Sequence, residues 1–89
     1  MASLKITDGF RADLLAVESD RVFGHIMNVV ELLQPVPAMG SRDVPASIRR
    51  SYGDGARKVP VGPFDVVTLY DEDADVVTVA GLVHQHAAW

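Results

Sequence analysis

Arg49, Arg50, Tyr52, Arg57, Lys58, Tyr70, His84 and His86 are the side chains of this sequence best equipped for chemistry. A guanidinium presents a planar fork of donors that matches phosphate oxygens. An imidazole titrates near neutrality and can take or give a proton. Arg57 and Lys58 stand at the entrance of an apolar stretch, "ARKVPVGPFDVVTLY", and His84 and His86 at the exit of the next, "VVTVAGLVHQH". A cation and an imidazole on one rim would make an acid–base centre with an anion clamp. His84 and His86 are spaced i, i+2, so on a strand they share one side, and two imidazoles so placed can bind zinc. A third ligand would have to come from His25 or a carboxylate. Nothing in the sequence nominates one, so no metal site and no cofactor are expected. Plainer roles exist for each group: Arg57 can pair with Asp54 or a turn acid, Tyr70 can pack at a strand end, and Tyr52 can anchor a long loop.

The charge is unevenly spread. Eight Lys and Arg face twelve Asp and Glu, for a net charge of −4, which argues against a general nucleic-acid binder. Residues 41–58, "SRDVPASIRRSYGDGARK", hold Arg42, Arg49, Arg50, Arg57 and Lys58 against Asp43 and Asp54, a net +3. The rest of the chain has Lys5, Arg11 and Arg21 against ten acids, a net −7. One basic patch sits on an acidic body. Cysteine is absent, which excludes disulfides and thiolate metal sites and fits a reducing cytoplasm. "MASLKITDGF" lacks the apolar run of a signal peptide, and no run approaches the ~20 residues of a membrane span.

Eighty-nine residues make a single domain, 1–89, with a thin core. "SLKIT" alternates and is β-branched, so it reads as a first strand. Asp8 is placed to cap a first helix, in which Phe10, Leu14 and Val17 have helical spacing. Ser19 or Asp20 can cap a second helix. There Val22, Phe23, Ile26, Met27, Val30 and Leu33 share one face, and Pro35 and Pro37 end it. Residues 34–56 are irregular, with room for a turn of helix at "ASIRRSY". Three strands come next: "ARKVPV", interrupted by Pro60; "FDVVTLY", with Phe64, Val66, Thr68 and Tyr70 on one face; and "VVTVAGLVH". Strict alternation puts Val76, Thr78, Ala80, Leu82 and His84 on one face of the last strand and Val77, Val79, Gly81 and Val83 on the other. A strand apolar on both faces is central or covered on both sides. The order β-α-α-β-β-β gives an α+β fold, two N-terminal helices on a small, mainly antiparallel sheet.

These features resemble the RelE/ParE superfamily of bacterial toxins from type II toxin–antitoxin modules, over roughly residues 3–86. The carriers are the short first strand, the helical hairpin ending in "LLQPVPAMG", the Arg opening a strand in "ARKVPVG", and "PFDVVTLYDEDADVVTVAGLVH". The resemblance implies a cytoplasmic, growth-inhibiting toxin of a plasmid-stabilising addiction module, neutralised by a cognate antitoxin. Its RelE-like branch consists of endoribonucleases that cut mRNA in the ribosome; its ParE-like branch poisons DNA gyrase without a nuclease centre. On the first reading, Arg57 and His84 match family positions and are the catalytic candidates for metal-independent RNA cleavage. Arg49, Arg50, Tyr52, Lys58 and His86 are then the substrate-binding candidates, Tyr52 by stacking on a base. RelE-like nucleases tend to be basic, with basic or tyrosine residues in and after the last strand. Here no Arg, Lys or Tyr occurs after residue 70. That departure supports the alternative, a non-enzymatic gyrase poison or an inactive antitoxin-binding homologue. An apolar helix face and an exposed strand edge in so small a chain predict a partner or a homodimer.

Overall fold

The computed structural model describes residues 1–88. The elements are β1 (Ser3–Ile6), α1 (Asp8–Leu15), α2 (Asp20–Leu32), α3 (Ala46–Tyr52), β2 (Arg57–Val61), β3 (Phe64–Asp71), β4 (Val76–His84) and a single-turn α4 (Gln85–Ala88). The strand order is β1-β4-β3-β2. β2 and β3 are antiparallel neighbours, as are β3 and β4, whereas β1 runs parallel to β4. The α+β reading holds, and the sheet is mixed because its first strand pairs with its last.

The helices start where side-chain oxygens meet orphan backbone donors. Ser19 caps α2 by accepting from the Val22 amide at 3.3 Å. α1 is capped by Thr7 rather than by Asp8: the Thr7 hydroxyl accepts from the Phe10 amide at 3.1 Å. The same hydroxyl donates to the Ala80 carbonyl at 3.0 Å, so one side chain starts a helix and fastens it to β4. The α2 stripe buries Ile26, Val30 and Leu33; Phe23, expected among them, is exposed at its flank.

Both faces of the sheet are covered. Phe10, Ile26, Val30 and Leu33 pack from α1 and α2 onto Val61, Val66, Val77, Val79 and Leu82. On the opposite face Val44, Ile48 and Tyr52, in and before α3, pack onto Val67, Leu69 and Val83. The expected helical turn at "ASIRRSY" is therefore α3, and it supplies the second layer. Full burial of a Phe or Ile side chain contributes about 1.5–3 kcal/mol, so Phe10 and Ile26 anchor the first layer.

Alternation along β4 breaks once. Thr68 pairs with Val79 but Val67 pairs with Gly81, leaving Ala80 as an extra residue. Past this bulge Leu82 joins Val77 and Val79 on the α1–α2 side, and Val83 turns to α3. The strict alternation expected from the sequence fails at that residue. β1 ends opposite Val79, so the bulge lies where β4 loses its neighbour and gains the Thr7 hydroxyl instead.

Thr7→Ala removes the α1 cap and the tie to β4 together. It is expected to lower unfolding stability by about 1–3 kcal/mol in urea titrations, with Thr7→Ser recovering most of the loss.

Candidate functional site

The register fixes where each candidate residue stands. Arg57 opens β2 opposite Thr68, which in turn pairs with Val79. His84 closes β4 opposite Phe64, whose other partner is Val61. These two rows lie four to five residues apart along the strands and two strands apart across them, so their Cα atoms are separated by roughly 16–19 Å. The structure does not bring Arg57 and His84 onto one rim, as the sequence reading had them. β2 and β4 run in the same direction, so the start of one and the end of the other fall at opposite ends of the sheet.

Arg57 and Lys58 also part company, because neighbouring strand residues face opposite sides. Arg57 shares its side with Val59 and Val61, which belong to the α1–α2 layer. Lys58 lies in one row with Val67 and Gly81 on the α3 side. Tyr52 reaches that same row from α3. Its ring lies directly on Gly81, where an added Cβ would come 2.6 Å from Tyr52 Cζ. Only glycine admits this contact. Arg49 and Arg50 are exposed on α3, and one Arg49 Nη donates to the Val44 carbonyl at 3.4 Å. The α3 side thus gathers Arg49, Arg50, Tyr52 and Lys58, while Arg57 stands on the other face.

A backbone bridge adds a cation that the sequence reading left in a loop. Ser41 and Lys58 exchange two hydrogen bonds of 2.9 Å, which brings Arg42 toward the Arg57 end of β2. Gly40 makes the approach possible: its φ is 103°, and a Cβ there would lie 2.6 Å from the Lys58 carbonyl oxygen. Among the described residues Arg42, Arg49, Arg50 and Arg57 form no ion pair. The pairing of Arg57 with Asp54 or a turn acid does not occur.

The two histidines do meet. His84 sets its ring edge against Phe64 at 5.4 Å, and His86 stacks on His84 at 5.3 Å with planes 26° apart. The His86 amide donates to His84 Nδ1 at 3.3 Å, which assigns the proton of neutral His84 to Nε2. They stack because the chain turns into α4 after His84. His86 is a helix residue, so the shared strand face expected of an i, i+2 pair is not what joins them. Among the described residues no cluster of three His, Asp or Glu side chains could hold a metal ion.

The sequence reading missed a polar knot beside these rings. Asp65 is 1 % exposed. Its Oδ1 accepts from Gln85 Nε2 at 3.4 Å, and its Oδ2 has no partner. The same Gln85 amide donates to the Phe64 carbonyl at 3.1 Å, and the Gln85 backbone N–H to Pro63 at 2.8 Å. Gln85 therefore latches α4 over the start of β3. The available signal was a lone acid, Asp65, between Phe64 and the paired valines Val66 and Val67. Asp13 is a second missed group: its Oδ2 accepts from the Leu82 amide at 3.4 Å, on the edge of β4 that β1 leaves bare.

No family profile and no curated protein sequence matches the chain. Solved structures do. A chain of the intact E. coli RelBE toxin–antitoxin complex superposes with a TM-score of 0.67 at 12 % identity, over 94 % of this chain and 96 % of that one. A chain of a RelBE toxin–antitoxin complex from Mycobacterium tuberculosis gives 0.70 at 18 %, over 93 % and 90 %. A chain of the chromosomal ParDE toxin–antitoxin system of P. aeruginosa gives 0.68 at 22 %, over 94 % and 96 %. The fold is that of these RelBE and ParDE chains over 93–94 % of the sequence.

Two outcomes test the site's wiring. Gln85→Ala leaves the Asp65 carboxyl with no donor and should cost about 1–3 kcal/mol of stability, read from the urea midpoint. Burial of the Tyr52 phenol, aided by the Asp13 charge, raises its pKa above the ordinary 10.0. The folded state then disfavours the phenolate, so this stability is whole below pH 10 and is lost as pH climbs past it. Tyr70 is raised as well, by its hydrogen bond to Asp75. Tyr52→Phe should therefore shallow the alkaline fall in Tm without abolishing it.

Proposed function

We propose that this chain is the toxin of a type II toxin–antitoxin pair and that it acts by binding its target rather than by cutting RNA. The likeness of its fold to chains of RelBE and ParDE complexes supports the first half. The separation of Arg57 from His84 carries the second. Proton transfer and phosphate stabilisation must act on the same few atoms, within hydrogen-bond reach of each other's substrate groups. Rows at opposite ends of a sheet do not meet that condition. DNA gyrase is the target the ParE-like resemblance nominates, and the acidic body with its one basic segment suits a protein partner.

A cognate antitoxin would lie on the helical hairpin. Leu15 is 86 % exposed at the end of α1, and Leu32 and Phe23 are exposed on α2. Apolar side chains left on the surface of so small a domain favour a protein cover.

One observation favours the nuclease reading. Arg42, Arg57 and Lys58 stand near one end of the β2 edge, Arg57 and Lys58 on its two faces, and a concentration of cations is what an RNA backbone requires. Inducible expression separates the readings. Growth arrest relieved by the product of the adjacent reading frame, with gyrase supercoiling inhibited and mRNA ends unchanged, is the expected result. New mRNA 5′ ends that vanish in Arg57→Ala would establish cleavage instead. Growth unaffected by expression would remove the toxin reading altogether.

A further inference from the structure

The α3 layer covers only one end of the sheet's second face. Val44, Ile48 and Tyr52 pack there onto Val67 and Val83. The other end, beside the β3–β4 turn, holds a cavity of about 310 Å³. That is the small end of the range for ligand sites, roughly 300–1,000 Å³. Its floor follows from the register. Lys5 pairs with Thr78, and Thr78 with Leu69, so the three form one row across β1, β4 and β3. Val77 and Val79 face α1 and α2, which turns Val76 and Thr78 to the cavity side. Leu69, Val76 and Thr78 are each half-buried and line the cavity. Gly55, in the loop after α3, forms the wall opposite Lys5.

The lips of the cavity carry opposite charges. Lys5 stands on one and forms no ion pair among the described residues. Asp71 stands on the other. Its Oδ1 accepts from the Ala74 amide at 3.1 Å, and its Oδ2 has no partner among the described residues. Asp71 pairs with Val76, one same-face row beyond Thr78 and two strands across from β1, so the Lys5 and Asp71 Cα atoms are roughly 12 Å apart. The lysine stem shortens the gap between the charges to roughly 6–9 Å. In the floor between them the Thr78 hydroxyl makes no hydrogen bond among the described residues. The turn adds exposed Glu72, Asp73 and Asp75, so a plain anion is repelled, while a plain cation meets Lys5. A molecule bearing both charges at the right spacing meets neither obstacle.

We infer that this cavity is a binding site for a short peptide of small apolar residues with both termini free. The terminal carboxylate lies at Lys5 and the terminal ammonium at Asp71. The gap between the charges matches two to three residues at roughly 3.4 Å each. The apolar side chains rest on Leu69 and Val76, and the Thr78 hydroxyl bonds an amide of the peptide. Lys5, Thr78 and Asp71 belong to three adjacent strands, so an occupant ties β1 to β3 across β4. The site is independent of the toxin reading, and failure of either leaves the other standing.

Amide-resolved NMR titration of the full-length chain with trialanine tests it. Lys5, Leu69, Asp71 and Thr78 should shift together with a millimolar midpoint, and α2 should not move. N-acetyl-trialanine and trialanine amide each lack one terminal charge and should bind about threefold more weakly. Lys5→Gln should weaken trialanine about threefold and leave trialanine amide unchanged. Asp71→Asn, whose side-chain oxygen can still accept from Ala74, should weaken trialanine equally and leave the acetylated form unchanged. Both positions are exposed, and the comparison of peptides on the wild type stands without the variants. Equal affinity for the three peptides overturns the charge pairing. Shifts confined to Glu72 and Asp73, or none at tens of millimolar peptide, overturn the site. 6-Aminohexanoate has both charges and no amide, so it should bind more weakly than trialanine. Equal binding of the two overturns the Thr78 hydrogen bond.

Discussion

The parallel pairing of β1 with β4 is the constraint on which the other features rest. It joins a short strand near the N-terminus to the last long strand, from Ser3 opposite Val76 to Ile6 opposite Val79. A parallel pair needs a crossover, and here the crossover is most of the chain. Everything from α1 to β3 lies between the two paired strands. Val77 and Val79, both fully buried, are the residues that reward closure. They lie under α1 and α2 and beside β1, so hairpin and sheet become one core through them.

The bulge at Ala80 is a consequence of that pairing. β1 is only four residues long, and β4 runs on five residues past its end. Those residues would expose an unpaired edge. Instead the chain turns at Thr7 into α1, and side chains take the place of a strand: Thr7 donates to Ala80, and Asp13 accepts from Leu82. The extra residue re-aims Leu82 into the α1–α2 core and leaves bare backbone at Gly81 for the Tyr52 ring. A single irregularity thereby seats a helix on each side of the sheet.

Periodicity made the helices and strands legible. The Ile26, Val30 and Leu33 stripe, the Ser19 cap and the alternation of β3 all appear as the pattern demands. What was not legible was long-range or cooperative. Nothing local in "VVTVAGLVH" announces a bulge, because its cause is the end of a strand more than seventy residues earlier. The parallel sense of β1 was hidden for the same reason. At the candidate site, residue types were read but their row was not. Arg57 and His84 each sit at a strand end as expected, and the ends prove to be opposite ones. Arg42 was passed over because an isolated bridge to Lys58 depends on Gly40 turning with positive φ.

The molecule's charge and its edges are organised together. Arg42, Arg57 and Lys58 lie at the β2 edge, where Lys58 is paired to Ser41 and Pro60 has no N–H, so that edge offers a partner side chains more than backbone. Contacts of that kind are screened by salt and form and break readily. β1 has the reverse character: few cations, acids near by, and open backbone at Leu4 and Ile6 on the side away from β4. Main-chain bonds over an apolar floor are insensitive to salt and hold more lastingly than surface ion pairs. On the proposed function, silencing by one partner and action on another would draw on surfaces of both kinds. The two kinds of surface lie on opposite edges of one four-stranded sheet, β2 and β1.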